Sequence, residues 1–461
     1  MRASAQTTEQ WDEALDLARQ LLAESPALET EVTVDALDES FARYASVGAT
    51  QCGDRARVDV AIRVRARAVD GSAGVCEARA TSTGLGLGDA RAALSRAVAL
   101  ARVSAPDESL QPLGGPVEIA VRGACEAART HSFAAKADWI DTALRACERA
   151  GLAGAGLAAT QATRRLIANS AGRCVYGAAS RAAFALTATR ADASGFAEEI
   201  AADPTAIDPA RAVERAIGQA LRSHAPRAIA PGEYTVVLEP PAVAALLMFT
   251  AYQGFGARAL EEQSSFLCGR IGTTPFARSL TLVDDAGHAR LSAIPFDGEG
   301  SPRLRTVLID AGRIVGPVTD RRYAAELRVP NTGHAQPQPN ADGPRPQHLV
   351  LLPGDASIDA LVSGVERGLY VSQLHYVNVI EPRELVLTGM TRHGAYWIEN
   401  GRVQHAVKHL RFTESLVAAL ARVTGVGAEL WAAGALFEGE MLAPALRIER
   451  FRFTSAAEFA A

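Results

Sequence analysis

The sequence predicts an α+β protein of two domains, an N-terminal mixed α/β domain over residues 1–228 and a C-terminal strand-rich domain of antiparallel sheet over residues 229–461. Three observations carry this. A chain of 461 residues is too long for one core and fits two of roughly 200 residues each. Helix-period and strand-period segments alternate in the first half, whereas the second turns strand-rich after one long apolar helix. Between the halves, residues 225–232 read APRAIAPG, a proline-rich stretch suited to a boundary. Hydrophobic residues at 48% and charged ones at 21% supply material for real cores and exclude a disordered chain.

Residues 9–24 place Trp11, Ala14, Leu15, Ala18, Leu21 and Leu22 on one helical face, an amphipathic opening helix. A strand is expected at 31–35, and a stronger one at 55–68, where RARVDVAIRVRARA sets Val58, Val60, Ile62 and Val64 against a row of arginines. Arg63, Arg65 and Arg67 could suggest a basic patch; alternation spaces them along one face and predicts a solvated sheet surface. Asp70-Gly71 predicts a turn, residues 74–81 a second strand, and residues 89–103 a helix. GLGLG at 84–88 lacks the spacing of a dinucleotide fingerprint and reads as a helix-entry loop. After a spacer around Pro106 to Pro116, a helix is expected over 134–150, then strands at 157–163, 165–169 and 181–190 with a turn at Asn169 to Gly172. A helix over 208–223 takes Asp208 as its N-cap and Pro209 at its first position.

In the second half, Tyr234 to Leu238 is a β-branched run that ends at Pro240-Pro241, followed by a helix apolar almost all round. Strands are expected at 279–284, 304–310 and 313–319, with Asp310-Ala311-Gly312 as a tight turn. Residues 331–346, NTGHAQPQPNADGPRP, form the one long irregular segment, a candidate binding loop or cover. A meander follows: strands at 369–380, 384–388 and 395–398, then an Asn400-Gly401 hairpin turn, a strand through His405 and His409, and a helix starting near Thr413.

Bulk chemistry narrows the function. A net charge of −5 argues against nucleic-acid binding. Only two of the 47 basic residues are lysines, Lys136 and Lys408, an arginine bias that reads as coding background. The six cysteines (Cys52, Cys76, Cys125, Cys147, Cys174, Cys268) show no CxxC pair and predict reduced thiols. No apolar run of 18 residues occurs, and the first twenty residues lack a signal-peptide pattern, so a soluble cytoplasmic protein away from membranes is expected. No GxSxG elbow and no P-loop is present.

The segment 232–269, GEYTVVLEPPAVAALLMFTAYQGFGARALEEQSSFLCG, resembles the strand and helix that carry the metal site in the TldD/PmbA family of peptidases. The hairpin LIANSAGRCVYGAASRAAFALTATR, the loop PFDGEGSPRLRTVLIDAG and the stretch GLYVSQLHYVNVIEPRELVLTGMTRHGAYWIENG at 368–401 carry the same resemblance, so a TldD/PmbA-like fold is expected along most of the chain. In catalytic members an HExxxH motif follows a VLL-like triplet. Here the triplet is Ala245, Leu246, Leu247, and the motif's first histidine, glutamate and second histidine fall on Met248, Phe249 and Gln253. A catalytic zinc takes about three nitrogen, oxygen or sulfur ligands and a nearby carboxylate, which a thioether, a phenyl ring and one amide do not provide. The resemblance also implies a third ligand at a cysteine near the C-terminus, and all six cysteines lie before residue 269. Met248 and Phe249 are then expected as ordinary core residues.

The resemblance thus implies a non-catalytic TldE/PmbA-like subunit with no catalytic residue and no metal of its own. Zinc is expected in a TldD-like catalytic partner, in a heterodimer that processes or degrades unfolded peptides threaded into an enclosed cavity. This chain would supply cavity wall and backbone pairing by strand addition, and the loop at 331–346 would lie near the peptide cleft. Two alternatives stay open. One is a divergent metallopeptidase active as a homodimer, with ligands drawn from His375, His405 or the carboxylates Asp297 and Glu299; the other is a stand-alone peptide-binding or modulator protein. Asp297 and Glu299 also read as a solvated turn. His405 and His409 share the spacing i, i+4, but on a strand they stand about 13 Å apart, too far for one ion. His131, His375 and His393 are isolated.

Overall fold

The structure, a computed structural model, describes residues 2–68, 74–120, 124–434 and 439–457, with side chains from residue 11 onward. The turn expected at Asp70-Gly71 lies outside the described residues. The first half contains helices α1 (Arg2–Glu24), α2 (Leu87–Ala101), α3 (Glu126–Thr130), α4 (Phe133–Arg149) and α5 (Pro209–Arg222). Its strands are β1 (Glu29–Ala45), β2 (Gly48–Arg67), β3 (Val75–Thr83), β4 (Pro106–Asp107), β5 (Ala153–Asn169), β6 (Cys174–Arg190) and β7 (Ala193–Ala201). All seven pair antiparallel in the order β4-β3-β2-β1-β5-β6-β7.

Alternation decides which face the helices cover. Val32, Val34, Val60, Ile62 and Val64 point to one side and pack with Ala14, Leu17, Ala18 and Leu21 of α1 and with Ala93 and Leu94 of α2. Further along, Ala42, Tyr44, Phe184 and Leu186 meet Ile140 and Ala143 of α4 and Ala212 and Ala216 of α5. Asp208 caps α5 by accepting from the Arg211 amide at 3.2 Å, as its position before Pro209 predicts. Two expected strands prove to be one, β5, because Arg164 and Arg165 stay in register against Ala36 and Asp35.

In the second half the strands are β8 (Gly232–Leu238), β9 (Leu282–Asp284), β10 (Thr306–Asp310), β11 (Arg313–Ile314), β12 (Leu349–Leu351), β13 (Arg367–Glu381), β14 (Val386–Glu399), β15 (Arg402–Ala406), β16 (Leu410–Ser415), β17 (Val423–Val426), β18 (Trp431–Gly434), β19 (Glu440–Ala443) and β20 (Leu446–Ala456). The helices are α6 (Pro240–Gln253), α7 (Ala257–Glu261), α8 (Arg321–Leu327), α9 (Ile358–Ser363) and α10 (Leu416–Ala421). One sheet runs β11-β10-β9-β12-β19-β18. The other runs β13-β8-β20-β16-β14 and closes on itself through β13–β14, a small barrel. Two pairings depart from the antiparallel expectation: β8–β13 and β12–β19 are parallel. Thr413 lies in β16 rather than opening a helix; α10 starts after Ser415, whose hydroxyl accepts from the Ala418 amide at 3.2 Å. The largest core fills the space between barrel, second sheet and α6, with Leu246, Leu247, Phe255, Phe266, Leu282, Leu369 and Phe412.

The arginines of β2 overturn the solvated-face expectation. Arg63 and Arg65 are each 3% exposed, while Arg67, like Arg55 and Arg57 earlier on the strand, faces water. Arg63 pairs with Glu31 at 2.9 Å and Glu77 at 3.4 Å; Arg65 pairs with Glu77 at 2.6 Å and Glu29 at 3.0 Å. The Gln111 carbonyl of the first half accepts from Arg65 at 2.5 Å, and the second half of the chain covers Arg63. The loop carrying Asp297 and Glu299 docks on this polar face, bringing Glu299 to 4.0 Å from Arg63, and Arg173 donates to the Glu299 carbonyl at 3.0 Å and to Ser301 Oγ at 3.2 Å. Asp297 and Glu299 therefore do not form a solvated turn. Asp297 is fully buried, and its carboxylate accepts from the amides of Glu299, Ser301 and Ala335, each at 2.9 Å. Burial, reinforced by Asp297 and Asp320, pushes the Glu299 carboxyl up to about 7 against the pull of Arg63 and Arg321.

Candidate functional site

A cleft of about 500 Å3 opens between α6, β13, β7 and β18. The sequence builds its floor in a few steps. β8 ends at Leu238; Glu239 takes the extended N-cap conformation, and Pro240 and Pro241 start α6 where their missing amides cost nothing. The helix then buries most of its surface, leaving Ala244, Ala245, Met248 and Phe249 as cleft wall. Phe249 is 8% exposed and also belongs to the main core, whereas Met248 is half-buried. Gln253, one turn beyond, is half-buried and does not line the cleft. Facing Met248 is β18, the edge strand of its sheet, with Trp431, Ala432, Ala433 and Gly434.

β13 forms the mouth. His375 pairs with Met390 and Asn378 with Thr388, so Tyr376 and Val377 oppose one residue, Gly389, in a bulge. Tyr376 takes a left-handed backbone (φ 49) and is 68% exposed, with its ring 4.2 Å from that of His375. The His375 ring is held below its ordinary pKa by burial and by Arg392.

Charge enters the cleft from the first half of the chain. Arg215 of α5 spreads over Trp431 at 4.4 Å from the ring centroid and donates to Glu199 at 2.7 Å and to the Glu198 carbonyl at 3.0 Å. Glu198 lies 3.8 Å from Arg181 and is raised above its ordinary value by burial. Deeper, the Tyr370 hydroxyl donates to Glu239, and Gln219 donates to its other oxygen at 3.3 Å. Burial raises the Glu239 carboxyl, partly countered by the Tyr370 hydroxyl and by Arg222 and Arg215. None of these residues was visible as a site in the sequence; the one available signal was a glutamate placed just before Pro-Pro at a buried helix start.

The residues present do not fit a catalytic zinc. At the expected motif positions a thioether and a phenyl ring face the cleft, and opposite them stand tryptophan, alanine and glycine. Glu239 cannot replace the missing carboxylate, since it precedes Met248 by nine residues, about 13 Å along the helix. Among the described residues no group of three or more His, Cys, Asp and Glu is placed to hold a metal ion. The alternative ligand set is dispersed: His375 is at the cleft mouth, His405 is on β15 outside the cleft, and Asp297 and Glu299 sit against β2. His131 packs against Trp139 at 4.7 Å in the first half.

The irregular segment 331–346 lines no part of this cleft. It is pinned by a buried chain in which Asp284 Oδ1 meets His334 Nε2 at 3.0 Å and His334 Nδ1 meets Thr332 Oγ1 at 2.9 Å. The connectivity is that of a hydrolase triad, but Asp284 and His334 are wholly buried, and Thr332 Oγ1 is spent on the Thr319 carbonyl at 3.0 Å. Asp284 also accepts from the Gln347 and His348 amides at 2.7 and 2.8 Å, so its role is to order the segment.

Residues 231–455, from β8 to β20, match the family model described as the PmbA/TldA metallopeptidase C-terminal domain. The chain belongs to the TldD/PmbA family. Among solved structures, it is similar to TldE from Thermococcus kodakarensis, at 19% identity and a TM-score of 0.82, over 96% of this chain and 100% of that one; the fold is shared over that length. Among curated relatives, it is 22% identical to a metalloprotease of Methanothermobacter thermautotrophicus over 43% of each chain. It is 28% identical to a metalloprotease TldD homologue of Haemophilus influenzae over 42% of this chain and 41% of that protein. The matches thus span less than half the length of these curated relatives. Among the described residues no helix is long and apolar enough to cross a membrane.

Proposed function

We propose that this chain is the non-catalytic, TldE/PmbA-like subunit of a TldD/TldE-type zinc metallopeptidase complex that processes or degrades unfolded peptides. The observation that carries this reading is the composition of the cleft: a pocket of enzyme-site size is present on α6, yet Met248 and Phe249 occupy it where an ion and a proton acceptor would be needed. A TldD-like partner supplies the zinc and the glutamate. This chain supplies wall and recognition. The apolar side of the cleft suits an unfolded chain's hydrophobic side chains, and β18, the last strand of its sheet, offers an edge beside it for an extended peptide.

Metal analysis tests the assignment. The purified chain is expected to carry no stoichiometric zinc and to co-purify with a co-expressed homologue that retains HExxxH. Stoichiometric zinc in the chain alone would defeat it. The described residues of one chain line the cleft on several sides, which favours as second reading a stand-alone peptide-binding protein. Undiminished peptide affinity of a homodimer, with no association to any HExxxH homologue, selects that reading.

A further inference from the structure

A second cavity, about 1020 Å3, lies behind the cleft wall, between the β6–β7 hairpin and the corner where β14, β15 and β16 meet. Among the described residues its lining is one-sided in charge: Arg190, Arg392 and Lys408 face it, and the one acidic residue there, Asp192, is engaged with His224 Nδ1 at 3.0 Å and the Ala225 amide at 2.9 Å. Arg190 and Lys408 are both exposed. Lys408 is the only lysine at the surface, since Lys136 is wholly buried. Two imidazoles complete the lining. His393 meets Ser194 Oγ at 3.0 Å, and His409 meets Thr391 Oγ1 at 3.2 Å. Burial and the nearby Arg392 hold both neutral, His393 down to about 3 and His409 to about 4.

The two cavities share a wall. Ser194 lines the groove and Phe196, two residues along β7, lines the cleft; the His393 ring stacks on Phe196 at 5.8 Å. On the neighbouring strands Gln373 faces the cleft and its cross-strand partner Arg392 the groove. A cationic groove with hydrogen-bonding imidazoles, one residue layer from an apolar cleft, fits an extended chain that ends in a negative group.

We propose that this groove is a carboxylate-binding subsite that takes the C-terminal carboxylate of an extended peptide. The inference rests on the peptide reading above. Arg190 and Lys408 reach the carboxylate from the rim; Arg392 and the imidazoles form its floor.

Fluorescence anisotropy with the full chain and one labelled unstructured peptide tests it, the peptide carrying either a free C-terminal carboxylate or an amide. The carboxylate form is expected to bind about tenfold more tightly. The preference should vanish in Arg190→Ala/Lys408→Ala and reverse in Lys408→Glu, with amide affinity unchanged; both positions are exposed, so folding is not at risk. Equal binding of the two forms by the unaltered chain, or a preference surviving both variants, overturns the subsite and leaves the peptide reading standing. If neither form binds, both fall. Inorganic phosphate at matched ionic strength should compete with the carboxylate form alone; phosphate binding without any carboxylate preference assigns the groove to a free anion and overturns the proposal.

Discussion

The cleft and the seam between the two halves distribute polarity in opposite ways. The cleft is open, yet its α6 wall is Met248 and Phe249 and its β18 wall is Ala432 and Ala433. The seam is closed, yet it is made of Arg63, Arg65, Glu31, Glu77 and Glu299. Burial follows what covers a face, and a charged face can be covered when every charge has a partner. Apolar residues left open beside an edge strand have the opposite meaning, a wall awaiting a ligand.

Breaking the seam has the largest expected effect. Arg63→Ala leaves Glu31 and Glu77 buried with less compensation and should cost about 3–5 kcal/mol in denaturant unfolding. A loss under about 1 kcal/mol would mean that the seam is wetter than its burial indicates.

Next comes the cleft wall. Phe249→Ala should cost about 3 kcal/mol, because Phe249 also fills the main core, whereas half-buried Met248→Ala should cost about 1 kcal/mol. Equal costs would show that the two side chains do not divide between core and cleft as described.

The smallest effect is that of pH on the seam. Glu299 keeps its proton up to about 7 in the folded chain, against an ordinary value of 4.5, so its ionisation erodes stability as pH rises from 4.5 to 7. His348, pushed down to about 4 by burial and Arg303, acts with the opposite sign: it favours the folded state above 6.5 and loses that contribution as pH falls towards 4. Glu299→Gln should therefore remove the erosion between pH 4.5 and 7 while preserving the acid-side loss, read as melting temperature against pH. An unchanged profile would place Glu299 in solvent.

Local chemistry was legible in the sequence where it decides structure by itself: Asp208 before Pro209, Pro240-Pro241 opening α6, the Asn400-Gly401 turn into β15, the alternation of β2. The strands missed or shortened have other causes. β7, ASGFAEEIA, has small and acidic residues with little β character, and its place is set by pairing with β6. Barrel closure depends on β8 lying parallel to β13, a partner more than 130 residues away. The same distance hid the seam, since alternation on β2 reveals a polar face but says nothing of the loop at 297–301 that covers it. The cleft was barely legible: the sequence singles out Met248 and Phe249 but expects both in the core, where only Phe249 belongs, and Glu239, Arg215 and Trp431 became neighbours only through the fold.

The most direct test of the central claim is a peptidase assay on an unstructured peptide, run with the chain alone, with an HExxxH-bearing homologue, and with both. No cleavage by the chain alone and chelator-sensitive cleavage by the pair are expected. Chelator-sensitive cleavage by the chain alone would contradict that claim.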